Sequence, residues 1–213
     1  MARFNNGING AFSGKIGTVI GAECRGVQYG RSIGKPNTKG PTLAQQEQRN
    51  RFALVFNWLK PLLDVITTGF GLLTGKSTPM NNAVSYHLKE AVTRTGGEMT
   101  IDYKKAIFSR GELLASWILE VLTLAEGLLS LRWKEQEETL FCGKSDKASF
   151  VAYNPAKTKF IKFKDAAIRG DGEVMLQMPP DFSGDDLHCW MSYASETGNR
   201  VSTTIYIGKV RMA

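Results

Sequence analysis

The sequence predicts an α+β chain in three zones: a basic, glycine-rich arm over 1–40, a two-helix segment over 41–96 and an antiparallel β-sandwich over 97–213. Three observations carry this expectation. Nine of the 22 glycines fall within the first forty residues. From Phe52 to Ile66 apolar residues recur at three-four spacing, the period of a helical face. Beyond Gly97, short apolar and aromatic runs alternate with turn residues at a regular rhythm, the pattern of an all-β region.

In the arm each glycine costs a helix about 1 kcal/mol relative to alanine, so none is expected there. Segments 15–24 and 27–33 have β-type content around Arg25-Gly26. They read as a short hairpin whose glycines let another backbone come close. Residues 36–41, with proline at both ends, break regular structure. The charge is equally uneven. Residues 1–51 hold eight cations against Glu23 and Glu47, whereas the rest of the chain carries 19 basic and 18 acidic residues. Such a segment meets a polyanion or another protein subunit, or serves only as a solubilising surface. Lys15, Arg25, Arg31, Lys35, Lys39, Arg49 and Arg51 are the expected polyanion contacts.

Thr42 followed by Gln45 has capping-box spacing directly after Pro41, so a helix should begin there. Phe52, Val55, Phe56, Leu59, Leu62, Leu63 and Ile66 line one face, while Leu54, Trp58 and Val65 are apolar on the other side. A helix this apolar is clasped by the rest of its chain or buried in an oligomer, and the first seven residues are the expected subunit interface. Pro61 should kink the helix and the glycines of 69–75 should end it. Thr78-Pro79 then reads as an N-cap followed by proline at the first helical position, opening a second helix to about Val92.

Strands are expected over 99–109, 113–124, 128–134, 147–154, 158–163, 173–178, 187–194 and 201–211. Asn154-Pro155, Gly170-Asp171-Gly172, Pro179-Pro180, Ser183-Gly184 and 197–199 punctuate them. This rhythm points to a sandwich of immunoglobulin-like type. Residues 112–131 are ambiguous, because Leu113, Leu114, Trp117 and Ile118 also suit a buried helix. Strands are preferred because Glu126-Gly127 divides the run into strand-length halves.

Few motifs carry chemistry. Residues 74–78 resemble the end of a phosphate-binding loop, but Phe70 stands where that loop needs glycine. His188-Cys189 has no further ligand at finger-like spacing, and His87 has no second histidine one turn away. Asp181, Asp185 and Asp186 lie outside any EF-hand register and read as a solvated turn. Glu135, Glu137 and Glu138 read as a charged strand edge rather than an acid–base pair. Arg169-Gly170-Asp171 matches an adhesion tripeptide by composition alone. No nucleophile elbow is present, so no catalytic, cofactor-binding or metal-binding residue is expected, and no small-molecule substrate is evident. Three cysteines without a Cys-x-x-Cys pair read as reduced thiols, with a Cys142–Cys189 bridge as the alternative. Lys60, Asp64 and Glu120 interrupt the apolar runs, and the first residues lack the apolar core of a signal peptide. A cytoplasmic location, or incorporation into an assembled particle, is therefore expected.

Gly14-Lys15-Ile16-Gly17, Gly21, Arg25-Gly26 and Arg31, then Thr42, Gln45, Gln48-Arg49 and Arg51-Phe52, with the closing Ser202 and Tyr206-Ile207-Gly208, are a distinctive set. Together they resemble a widespread Bacteroidota family of chains of this size, known only as a domain of unknown function. The resemblance runs over the whole chain. Family members carry tryptophan before the basic–glycine step, where this chain has Cys24. The opening Lys15-x-Gly17, then Thr42, Gln45, Arg49 and Phe52, is also similar to that of small phage-associated structural proteins. That similarity implies a virion or filament context; neither resemblance implies an activity, cofactor or catalytic residue. The resulting expectation is a non-enzymatic structural protein, a homo-oligomer that assembles through its arm and apolar helix. The alternative is a nucleic-acid-binding protein that lays the arm on phosphates.

Overall fold

A computed structural model describes residues 2–3, 12–35, 40–71 and 77–212. The chain divides into two compact units, Met1–Leu43 and Ala44–Ala213. The helical segment and the β-rich zone, separate in the sequence reading, thus belong to one unit.

The first unit is a small antiparallel sheet of β1 (Ala2–Arg3), β2 (Gly14–Ile16), β3 (Val19–Cys24) and β4 (Val27–Ser32), in the order β1-β4-β3-β2. The expected hairpin is β3–β4. Its turn residues Arg25 (φ 53°) and Gly26 (φ 74°) both adopt the left-handed conformation that a two-residue hairpin turn requires. Gly17 (φ 57°) makes a further turn, so the expected first strand of the hairpin is split into β2 and β3. Gly21 has no room for a side chain: a Cβ there would collide with the Phe12 carbonyl oxygen and ring.

The second unit opens with α1 (Leu43–Leu59), directly after Thr42. The chain tightens into a 3₁₀ turn at Lys60–Leu62, where Pro61 cannot donate to the helical ladder, and continues as α2 (Leu63–Gly69). Helix α3 (Pro79–Glu90) is capped as expected, the Thr78 hydroxyl accepting from the Asn81 N–H at 3.2 Å. Gly69 ends α2 for a reason beyond helix propensity. A Cβ at that position would strike the Phe108 carbonyl and Ser109, and the Gly69 carbonyl accepts from the Arg110 N–H at 3.0 Å.

Strands β5 (Val92–Thr95) and β6 (Glu98–Ile101) form a hairpin around Gly96-Gly97. The expected strand 99–109 stops at Ile101, because Asp102 caps a 3₁₀ turn at Tyr103–Lys105. Then follow β7 (Ile118–Leu124), β8 (Leu128–Trp133), β9 (Lys147–Asn154), β10 (Lys159–Ile168), β11 (Glu173–Gln177), β12 (Asp186–Ala194) and β13 (Ile205–Arg211). The ambiguous 112–131 run is strand from Ile118 onward, broken by a turn at Ala125–Gly127, and irregular before it. Two antiparallel sheets result, β10-β9-β12-β13 and β11-β8-β7.

Alternation along β9 and β12 explains the layering. Ala148, Phe150, Ala152, Cys189, Met191 and Tyr193 point into a core shared with Leu129, Leu131, Trp133 and Leu176 of the three-stranded sheet. Val151, Tyr153 and Trp190 point the other way, into a second core with α1, α2 and α3. Both faces of β9 are therefore covered, which is why its sequence reads as an almost unbroken apolar run. In the second core Val55, Leu59, Leu62 and Ile66 are completely buried. Each such side chain contributes about 1.5–3 kcal/mol through area removed from water. The apolar helix is thus clasped by its own chain, the first of the two alternatives its sequence left open. Among the described residues, no helix is long and apolar enough to cross a membrane.

Candidate functional site

The expected cationic contacts fall in both units. Lys15, Arg25, Arg31 and Lys35 are exposed in the arm unit, whereas Arg49 and Arg51 lie on α1 in the other unit. Lys39 lies outside the described residues. Arg51 is already engaged, since its Nη2 donates to the Leu88 carbonyl. Within the arm the register sets Lys15, Ile20 and Arg31 in one cross-strand row, with Ala22–Tyr29 and Cys24–Val27 on the same face. The arm sheet therefore has one face that is basic at one end and apolar at the other, with Tyr29 between.

The expected interface residues divide. Val55, Leu59, Leu62 and Ile66 belong to the second core, while Phe52, Phe56 and Leu63 remain exposed. Phe52 and Phe56 stack on one another with ring centroids 6.0 Å apart. The interface expected on α1 thus keeps three side chains of seven, too small a set to bury an assembly by itself.

A larger apolar surface lies outside the expected interface residues. Leu114, Trp117, Leu119, Leu140 and Phe141 are all exposed, Trp117 and Leu140 by more than 70% (73% and 72%). They come from two segments that run side by side. The Leu114 N–H donates to the Phe141 carbonyl at 2.9 Å, the Lys134 N–H to the Trp117 carbonyl at 2.9 Å, and Gln136 Nε2 to the Ala115 carbonyl at 3.3 Å. Paired Thr139 and Cys142 close a tight turn that holds Leu140 and Phe141 at its tip. Turn tips are normally polar, so a leucine and a phenylalanine there form an apolar prominence. Glu135, Glu137 and Glu138, expected on a strand edge, are instead exposed on the loop leading to this tip, because β8 ends at Trp133.

The outer face of β7-β8-β11 exposes further apolar side chains, beyond a charged row. The register aligns Glu120–Arg132–Glu173, then Leu122–Ser130–Met175, then Leu124–Leu128–Gln177. The first row is an ion triad, with Arg132 at 3.7 Å from Glu120 and 3.4 Å from Glu173. The next two rows turn Leu122, Leu124 and Met175 to solvent. β7 is an edge strand, so its outer backbone groups lie beside this apolar face.

Beneath the surface a buried polar network holds the two segments. Arg169 donates to Asp146 (Nη2, 3.1 Å), to the Leu114 carbonyl (2.7 Å), to Ser116 Oγ (3.2 Å) and to Gln136 Oε1 (3.0 Å). Its guanidinium lies 3.8 Å from the centroid of the Tyr193 ring, and the Tyr193 hydroxyl donates to Ser116 Oγ at 2.9 Å. Its own carbonyl accepts from Trp133 Nε1 at 2.9 Å. Asp171 accepts from the Ile168 N–H at 2.8 Å and stays exposed, while Arg169 of the Arg169-Gly170-Asp171 triplet is buried in the fold. The sequence held little signal for this role, because the partners lie 23 to 55 residues from Arg169.

His87 is buried with Nδ1–H donating to the Ala83 carbonyl at 2.8 Å, and burial lowers its pKa to about 4. His188 meets the Tyr206 hydroxyl at 2.7 Å in an open groove with Asp185 and Asp186. Burial and the nearby Lys209 charge both lower its pKa. Asp186 faces Lys209 (2.8 Å), while Asp185 faces Lys157 (3.0 Å) and Asn154 (2.7 Å), so neither carboxylate is aimed at the imidazole. The three cysteines are free thiols, and burial pushes Cys189 up to about 12. Among the described residues no cluster of histidine, cysteine and carboxylate side chains could hold a metal ion. Residues 74–76 of the phosphate-loop-like segment lie outside the described residues, and Thr78 serves as a helix cap.

Fold and surface together define a mixed α/β protein of packed antiparallel sheets and helices, whose prominent exposed feature is an apolar, acid-flanked face. Residues 11–208 match the family described as "Family of unknown function (DUF6266)", and the chain belongs to that family. No curated protein and no solved structure matches it.

Proposed function

We propose that this is a non-catalytic structural protein that assembles with copies of itself, with its seven strands β7–β13 forming an immunoglobulin-like sandwich. The observation that carries the assembly reading is the exposed Leu140-Phe141 tip beside Trp117, with the leucines of the outer sheet face beyond the Glu120–Arg132–Glu173 row. Exposed apolar side chains gathered in this way are costly to leave in water and are characteristic of interaction sites. Phe52, Phe56 and Leu63 on the exposed side of the kinked helix supply a second, smaller contact. The sandwich reading rests on strand order. Numbered from β7, the first, second and fifth strands form one sheet, and the fourth, third, sixth and seventh form the other. Relative to the constant-type arrangement, only the fourth strand changes sheets.

Size-exclusion chromatography with light scattering, recording absorbance at 260 and 280 nm, tests the assembly reading. A multimer without excess absorbance at 260 nm supports it. A monomer across the accessible concentration range overturns it.

The second reading is nucleic-acid binding by the arm, supported by the row of Lys15, Ile20 and Arg31 beside Tyr29. Phosphate contacts of this kind, about six in number, would give a log–log salt slope of about −4 to −5. Binding that ignores salt, or survives replacement of Arg25, Arg31, Lys35 and Lys39 by alanine, would exclude it.

A further inference from the structure

We propose that the assembly is head-to-tail: the basic face of one copy's arm sheet docks on the acidic, apolar surface formed by 112–117 and 134–141 of the next copy. The inference rests on the self-assembly reading above and adds its two partners.

Charge complementarity singles out the occupant. The receiving segments 112–117 and 134–141 carry Glu112, Glu135, Glu137 and Glu138 against Lys134, the inverse of the arm unit Met1–Leu43, where six cations face Glu23. Arg132 is held between Glu120 and Glu173. At the tip, Arg200 donates to the neutral Leu140 carbonyl at 2.9 Å and keeps its charge. Glu112, Glu135, Glu137 and Glu138 outnumber Lys134 and Arg200, so the surface stays net acidic.

The two surfaces also match in apolar content. Val27 and Ile20 lie on the same arm face as Lys15 and Arg31, and they would meet Leu140, Phe141 and Trp117. A contact between two different patches closes into a ring, of which a reciprocal dimer is the smallest, or continues as a filament, depending on the rotation between copies. Because the pairing is between opposite charges at an exposed rim, it should also weaken as salt is raised.

Charge exchange tests this directly. One variant carries Lys15→Glu and Arg31→Glu; the other carries Glu135→Lys, Glu137→Lys and Glu138→Lys. All five positions are exposed, and circular dichroism and melting should match the wild type. Light scattering on each variant alone should give monomer mass. Their equimolar mixture should regain the wild-type mass, because every arm then finds a receiving surface of opposite charge. A wild-type multimer that both variants preserve, or a mixture of folded variants that stays monomeric, overturns the head-to-tail contact while leaving self-assembly standing. A monomeric wild type overturns both.

A cross-link gives a measurement that needs no charge reversal. Cys24 is the one exposed cysteine among the described residues and lies beside Val27 on the docking face. Glu137→Cys in the otherwise wild-type chain should oxidise to a reducible ladder of multimers on denaturing gels. Absence of the ladder from an assembled sample would overturn the contact.

Discussion

At the scale of single residues, His87 and Arg169 show how a buried polar group becomes a stability determinant. The ordinary pKa of His87 is 6.5 and burial lowers it to about 4, so on acidification the unfolded chain takes up a proton before the folded one does. Stability should therefore rise with pH across that window and fall on acidification through it, by up to about 3 kcal/mol. Denaturant unfolding at pH 7 and pH 4.5 should show the loss, and His87→Leu should flatten it. Arg169 is held by Asp146 with both side chains almost fully enclosed. Arg169→Ala would strand that carboxylate, which should cost about 3–5 kcal/mol in denaturant unfolding at pH 7. Neither role was legible in the sequence, where His87 read as a lone histidine and Arg169 as part of a chance triplet. Both depend on partners supplied by other elements.

At the scale of elements, the local signals were strong. The turn at Arg25-Gly26, the start of α1 after Thr42, the interruption at Pro61 and the cap at Thr78 all lie where backbone chemistry puts them. Thr78→Ala should cost about 1 kcal/mol, read as a lower unfolding midpoint, because one helical N–H loses its partner. What local chemistry could not say was which side of α1 faces inward. Leu59 and Phe56 look alike in the sequence, yet Leu59 is completely buried and Phe56 is exposed. Leu59→Asp should prevent folding, since it places a charge in the second core. Phe56→Asp should change stability by only about 0.5 kcal/mol. Soluble expression and circular dichroism distinguish the two outcomes. Gly69 makes the same point, because propensity marked it as a helix end while tertiary packing left it no space for a Cβ.

At the scale of the whole molecule, the asymmetry is between a basic arm unit and a larger unit that carries both cores and the acidic, apolar surface. Leu140→Glu with Phe141→Glu should leave the unfolding midpoint nearly unchanged, since both side chains are exposed, and should lower the mass seen by light scattering. Most strands, the helix boundaries and the three-zone order were legible in the sequence, because they follow from periods of two and 3.6 residues and from the fixed chemistry of glycine, proline and caps. The concentration of cations at one end was legible too, since charge is additive along the chain. Only the tertiary structure decided that β9 is covered on both faces, that four of the seven helix residues expected at an interface fill the chain's own core, and that the 112–117 and 134–141 segments form one surface. The physical reason is common to all three. Apolar residues look the same in sequence whether their partner is their own chain, another copy or water, and only the packing of distant segments determines which it is.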